Sequence, residues 1–228
     1  MTTLLTVLKS GGRYDAGWVD RLHRGARRSI AGLDRVVCLS DLPIAVPGVE
    51  LIPLRHDWPA WWAKFEAFRP EVSDDLTILC DLDTVFCGDA SAITDEGSAA
   101  MEDYFLKGRL STALMRWRGT AFADLYETFK AEPQRWMMPG SCGAVPNSVH
   151  GDQVVVDHLL RRSGRLPDFL QQRHPDLLDF YDPEKTDQGP IIIFIGDSKP
   201  DKVPRELQTL WYGDDDGTFP GQASPALA

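Results

Sequence analysis

Asp81 and Asp83 stand two residues apart in the run Leu79-Cys80-Asp81-Leu82-Asp83, and an apolar stretch from Leu76 to Cys80 feeds them. In an extended chain, residues i and i+2 share a face. Two carboxylates on one face repel unless a positive charge sits between them. A hard divalent cation, Mg2+ or Mn2+, is the usual partner, because it takes oxygen ligands and shares them with substrate phosphates. Held there, it neutralises charge that develops on a diphosphate leaving group. The pattern is short, and Asp214 and Asp216 repeat it near the C-terminus. The apolar strand before Asp81, and the Gly88-Asp89 pair after a second short apolar run, set the first occurrence apart from a pair of solvated loop carboxylates.

The carboxylates need a scaffold, and hydrophobic periodicity supplies one. Thr3 to Leu8 reads as a buried first strand, ended by the turn signal Lys9-Ser10-Gly11-Gly12. Trp18, Val19, Leu22, Ala26 and Ile30 fall on one helical face; Arg21, Arg24, Arg27 and Arg28 lie on the other and read as a solvated face. Arg35 to Leu39 and Val49 to Leu54 are the next strands. Asp57 is placed to cap a helix that starts near Pro59, carries Trp61, Trp62, Phe65 and Phe68 on its apolar face and ends at Pro70. Leu76 to Cys80 is a central strand and Leu110 to Trp117 another. Phe122, Leu125, Tyr126 and Phe129 repeat at helical spacing. Asp152 opens a further helix with Gly164 past its end, and Pro190 to Ile195 is a late apolar strand. Strands alternating with helices predict an α/β fold with a mostly parallel, Rossmann-like sheet flanked by helices. Ligands of such sheets bind beyond the carboxyl ends of the strands, where Lys9-Ser10-Gly11 and Asp81-Leu82-Asp83 both lie.

With 228 residues, 43% of them hydrophobic, the chain can bury one sizeable core. One domain over residues 1–212 is expected, followed by a flexible tail over 213–228 that has no core pattern. The net charge of −10 gives no global basic field for nucleic acid or an anionic membrane. Cys38, Cys80, Cys87 and Cys142 have no metal-knuckle spacing and read as buried thiols of a reducing compartment. No run reaches the roughly 20 apolar residues of a membrane span, and no signal-peptide pattern opens the chain. The expectation is a cytoplasmic protein.

The segment from Trp61 to Asp89 resembles the donor-site segment of bacterial and phage GT-A glycosyltransferases related to glycosyltransferase family 8. Further matches follow in the same order: Leu39-Ser40-Asp41, Gly151-Asp152-Gln153, and Phe194-Ile195-Gly196 with Lys199-Pro200. The resemblance runs over roughly residues 3 to 211 and is most specific at the Asp-x-Asp. It implies a single GT-A domain and a metal-dependent glycosyltransferase that moves a sugar from a nucleotide-diphosphate donor, a UDP-sugar by preference, to an acceptor hydroxyl, with retention as one outcome. It implies that Leu8, Lys9, Ser10 and Tyr14 line the base and ribose pocket, and that Lys64 approaches the carboxylates or the donor. Asp81 would hold ribose or metal beside Leu82, and Asp83 the Mn2+ or Mg2+. Ser111 and Thr112 would admit the sugar, Asp152 and Gln153 would face its reacting carbon, and Gly196 with Lys199 would meet the diphosphate. Asp152 could equally serve only as a helix cap, and Lys9 and Lys199 could be solvated. The family's His ligand is replaced by Ile195, so Asp197 or water is left to complete a metal shell.

Two other readings remain. A sugar-phosphate nucleotidyltransferase would place a longer Gly-rich basic loop after the first strand than Lys9-Ser10-Gly11-Gly12-Arg13 provides. A non-catalytic nucleotide-sugar binder would account for Ile195. The acceptor is open among a glycan, a lipid-linked sugar and a protein, with a modified nucleic acid favoured only by the arginine face.

Overall fold

Apolar runs rich in Leu, Val and Ile become strands where a neighbouring strand takes up their backbone hydrogen bonds. In the computed structural model, which describes residues 1–143, 149–185, 188–203, 208–209 and 211, four of them form β1 (Thr2–Leu8), β2 (Arg35–Ser40), β3 (Glu50–Pro53) and β4 (Leu76–Cys80). They lie side by side, all parallel, with β1 between β2 and β4. Further along come β5 (Val85–Phe86), β6 (Ala99–Glu102), β7 (Leu110–Trp117), β8 (Asp168–Phe169), β9 (Leu178–Phe180) and β10 (Ile191–Ile193). The main sheet has seven strands in the order β3-β2-β1-β4-β7-β6-β8, and only β7 runs against the rest. A smaller sheet, β5-β10-β9, lies beside it. The α/β, mostly parallel architecture is as predicted. The sequence reading did not separate β6, β8 and β9.

Side chains alternate across the main sheet and feed two cores. Leu4, Leu8 and Ile78 pack with α1 (Ala16–Ser29) and the small sheet. Leu5, Val37 and Leu79 pack on the other face with α2 (Ala123–Ala131) and Trp136 of α3 (Pro133–Met137), and with α4 (Asp152–Arg162). A short α5 (Leu170–Arg173) follows β8. Aromatic faces fill the second core: Phe65 and Phe129 stack with ring centroids 3.9 Å apart.

Two local expectations are corrected. Residues Ala60–Phe68 form 3-10 turns instead of an α-helix, and Pro59, not Asp57, holds the cap position. Asp57 is drawn away to the Lys9 ammonium, 2.7 Å distant. Buried Glu66 instead fixes the entry to this segment, accepting the backbone N–H groups of Arg55 and His56 and pairing with Arg69. The arginine face of α1 is engaged with protein: Arg24 pairs with Asp20, Arg27 donates to the Asp34 carbonyl, and Arg21 lies over the Trp211 ring at 4.1 Å. The tail expected from Gly213 lies outside the described residues. Among the described residues no helix is long and apolar enough to cross a membrane.

Candidate active site

A cleft of about 570 Å3 opens where β1 and β4 end. The aspartates do not continue the strand, contrary to the alternation expected of them. β4 stops at Cys80, and residues 81–84 form a turn closed by the Thr84 N–H on the Asp81 carbonyl. The Asp81 N–H still continues the ladder to the Ala113 carbonyl of β7, so both carboxylates are carried to the cleft on a rigid strand end.

Each carboxylate meets a lysine. Lys64 Nζ lies 2.8 Å from Asp81 Oδ1 and 3.2 Å from Asp152 Oδ2, and donates to Thr112 Oγ1 at 3.3 Å. Thr112 in turn donates to Asp152 Oδ2 at 2.5 Å. Asp83 Oδ2 accepts from Lys199 Nζ at 2.6 Å and from the Tyr14 hydroxyl at 2.9 Å. Burial alone would lower the Lys64 pKa, but Asp152 and Asp81 outweigh it and hold it above the ordinary lysine value. Asp81 is itself raised, first by burial; Lys64 pulls it down, but the Asp83 and Asp152 carboxylates add to the burial and the rise prevails. Burial and the Asp83 carboxylate also push the Tyr14 phenol far up, so it stays a proton donor.

The loop after β1 is built on Asp41. Its carboxylate accepts the Ser10 N–H at 2.8 Å, the Ser10 hydroxyl at 2.6 Å and the Lys9 ammonium. Burial opposes the Asp41 charge, yet these donors prevail and hold its pKa at about 2. On the opposite side, the register of β6 on β7 jumps between Ala100 and Met101. An irregularity of this kind re-aims side chains. It sits where Ser111 and Met101 line the cleft. Ser111 donates to Gln153 Oε1 at 3.4 Å, and Gln153 Nε2 donates to Asp103 Oδ2 at 2.8 Å. Trp61, Tyr104 and Phe105 stand at the rim, 48%, 49% and 68% exposed. Ala60, beside Trp61, holds a strained φ of +48°.

No family model matches the chain, and no curated protein does. Solved structures do. The apo form of the glycosyltransferase GlyE of Streptococcus pneumoniae TIGR4 superposes with a TM-score of 0.61 at 14% identity, over 92% of this chain and 59% of that one. A second GlyE structure gives 0.64 at 14%, over 92% and 60%. The galactosyltransferase LgtC, in complex with donor and acceptor sugar analogs, gives 0.62 at 10%, over 92% of this chain and 95% of that one. The chain has a GT-A-like fold. It spans about three fifths of the GlyE chains it matches.

Of the residues singled out in the sequence, this GT-A-like fold brings Lys9, Ser10, Tyr14, Lys64, Asp81, Leu82, Asp83, Ser111, Gln153, Gly196 and Lys199 to the cleft. Leu8 does not reach it: strand alternation turns Leu8 into the core and presents Val7 instead. Thr112 and Asp152 lie behind Lys64, 1% and 7% exposed. Asp152 is the first residue of α4 and Gly151 holds the cap position, so the carboxylate is not spent on capping. Asp103, Tyr104 and Phe105 were not singled out; they follow the short β6, whose Ala-Ala-Met-Glu carries no strand pattern.

The carboxylates suit a hard cation in part. Asp81 Oδ2 and Asp83 Oδ1 receive no hydrogen bond from the described residues, so each aspartate keeps an oxygen for a ligand. Ile195 lines the cleft without a donor atom, and Asp197 does not line it. No third His, Cys, Asp or Glu completes a cluster among the described residues. A cation held by this pair would draw the rest of its shell from phosphate oxygens and water.

Proposed function

We propose that residues 1–212 form a glycosyltransferase domain, with 213–228 a tail, that transfers a sugar from a nucleotide diphosphate, UDP by preference, to an acceptor hydroxyl. The observation that carries this reading is the convergence of Lys64–Asp81 and Lys199–Asp83 in one cleft of a GT-A-like fold, with the Gln153 amide among its lining groups. The cleft has the build of a small-molecule site, with apolar and aromatic walls and a few convergent polar groups. Lys9, Ser10 and Tyr14 form the side suited to base and ribose. Lys199 is a point cation for diphosphate oxygens, and its charge acts where negative charge grows on the leaving group. Lys64 stays protonated and ties Asp81 to Asp152, fixing the Asp81 side chain. Gln153, which lines the cleft where Asp152 does not, is the group suited to an oxocarbenium-like centre, and retention at that carbon is the stereochemical outcome proposed. Mn2+ or Mg2+, when bound by Asp81 and Asp83, would supply further neutralisation of the diphosphate.

The acceptor is proposed to be a sugar, free or lipid-linked, or a protein glycan. The four cysteines are free thiols, in keeping with a reducing, cytoplasmic setting. A screen of nucleotide sugars by thermal shift, with and without Mn2+, tests the reading, because a bound donor raises apparent stability. A rise with a UDP-sugar, followed by release of UDP on adding acceptor glycans, is expected. No shift with any nucleotide sugar would overturn the proposal. A shift without turnover would favour a non-catalytic nucleotide-sugar binder, to which Ile195 in place of a donor side chain is suited.

A further inference from the structure

Gln153 carries an amide whose two ends do opposite things: the NH2 donates twice and the carbonyl accepts. Which end meets a substrate is decided by what holds the other. Asp103 holds it. Its Oδ1 accepts the backbone N–H groups of Phe105 and Leu106, both at 2.8 Å, and its own N–H donates to the Arg109 carbonyl at 2.8 Å. The carboxylate is therefore fixed by its own loop, and it is 7% exposed. Its remaining oxygen, Oδ2, accepts Gln153 Nε2 at 2.8 Å. A carboxylate can only accept, so it meets the NH2 and leaves the carbonyl oxygen to Ser111, which donates to it at a long 3.4 Å. Gln153, Ser111 and Asp103 all line the cleft, but both Asp103 oxygens are already engaged, Oδ1 by its own loop and Oδ2 by Gln153. A hydrogen bond from the NH2 to a carboxylate also moves electron density towards Oε1, since linked hydrogen bonds polarise one another.

We propose that Asp103 is a positioning residue that locks the Gln153 amide with its carbonyl oxygen, and not its NH2, towards the cleft, where an electron-poor sugar carbon would be stabilised. The proposal rests on the glycosyl-transfer reading for its chemistry, but its geometry does not. A neutral amide at position 103 reverses the logic. In Asp103→Asn the side-chain oxygen still accepts from the loop, while the new NH2 faces Gln153. Two donors cannot pair, so Gln153 turns over and offers NH2 to the cleft. Adding Gln153→Glu restores an acceptor at both ends.

The geometry is read first in the unsubstituted protein by NMR of side-chain amides, with the Gln153 pair assigned by its disappearance in Gln153→Glu. One strongly downfield, exchange-protected NH2 proton is expected, and it is lost in Asp103→Asn. A narrow, solvent-like pair in the unsubstituted protein overturns the proposal, whatever the activity. The chemistry is read by UDP-sugar hydrolysis. Asp103→Asn should lower kcat about 10²-fold with little change in donor KM. Measured against Gln153→Glu alone, where two carboxylates would face each other, adding Asp103→Asn should raise kcat instead of lowering it. An equal fall in kcat from Asp103→Asn in both backgrounds overturns the positioning role. A protected amide in a protein that turns over no nucleotide sugar supports the lock and overturns the transferase reading instead.

Discussion

Lys199 and Asp83, 116 residues apart in the chain, meet at 2.6 Å across the cleft. One is the cation proposed for a diphosphate and the other a proposed cation ligand, so in the unliganded cleft each occupies the other. A donor must offer Lys199 something better than Asp83.

Lys199→Ala should therefore separate phosphate from nucleoside. The ammonium acts on charged oxygens, and hydrogen bonds to charged groups contribute about 1.5–3 kcal/mol. UDP affinity should fall about tenfold or more, while uridine affinity changes little. Titration calorimetry with both ligands decides it, and equal losses would remove Lys199 from the diphosphate site.

Asp83→Ala should leave the fold intact, because the residue sits on a turn at the cleft and not in either core. Donor turnover in Mn2+ should drop about 10²-fold or more, the scale on which cation neutralisation of a leaving group acts. Far-UV circular dichroism checks the fold. Undiminished Mn2+-dependent turnover would show that the cation, if used, is held elsewhere.

Ile195→His concerns the missing ligand. With two carboxylates alone, Mn2+ should bind weakly without donor and more tightly with UDP present. Linkage requires UDP to gain from Mn2+ by the same factor. An imidazole at 195 facing the aspartates should tighten Mn2+ binding about tenfold in the absence of UDP and reduce the coupling. Titration of both proteins with and without UDP measures this. Tight Mn2+ binding by the unliganded, unsubstituted protein would mean that a further residue already completes the shell.

Asp81 should leave a signature in stability against pH. Its pKa is raised in the folded protein, chiefly by burial. The folded state then keeps a proton that the unfolded chain has already released. Stability from this group is present below the ordinary aspartate value and declines as pH rises through the folded value. In metal-free buffer, Asp81→Asn should flatten that decline and melt higher than the unsubstituted protein near pH 7, while losing transferase activity. A lower melting temperature for Asp81→Asn at that pH would show that the Lys64 pair outweighs the burial of its carboxylate.

The scaffold was legible where periodicity was strong. β1, β2, β4 and β7 are long apolar runs, α1 has one clean face, and Gly164 follows α4 with a φ of +68°. What failed was local competition. Asp57 reads as a helix cap until Lys9 takes it, a contact 48 residues away that no window can contain. The Asp81–Asp83 pair was found for a reason only half right: the residues share the cleft because a turn folds them there, not because a strand alternates. Asp103 was invisible because its meaning lies in Gln153, 50 residues on, and because β6 is too short and Ala-rich to announce a strand. The approach of Lys64 to the carboxylates could be read by resemblance; the Lys199–Asp83 and Asp103–Gln153 pairs could not.

The small sheet ties one lysine of the cleft to a pairing that is remote in sequence. β10 pairs with β5 through Ile191–Phe86 and Ile192–Val85, and the turn after β10 leads to Lys199. Pairings so distant in sequence close late, because the long loop between them must be ordered first. β1 to β4 and β7 hold Asp81 without the small sheet, since the Asp81 N–H is bonded to the Ala113 carbonyl. The cleft's second lysine, Lys199, depends on β10 for its place. Until β10 docks on β5, nothing holds the segment that carries Lys199 against Asp83, so a substitution that loosens the Ile191–Phe86 pairing should free Asp83 of its lysine from a distance.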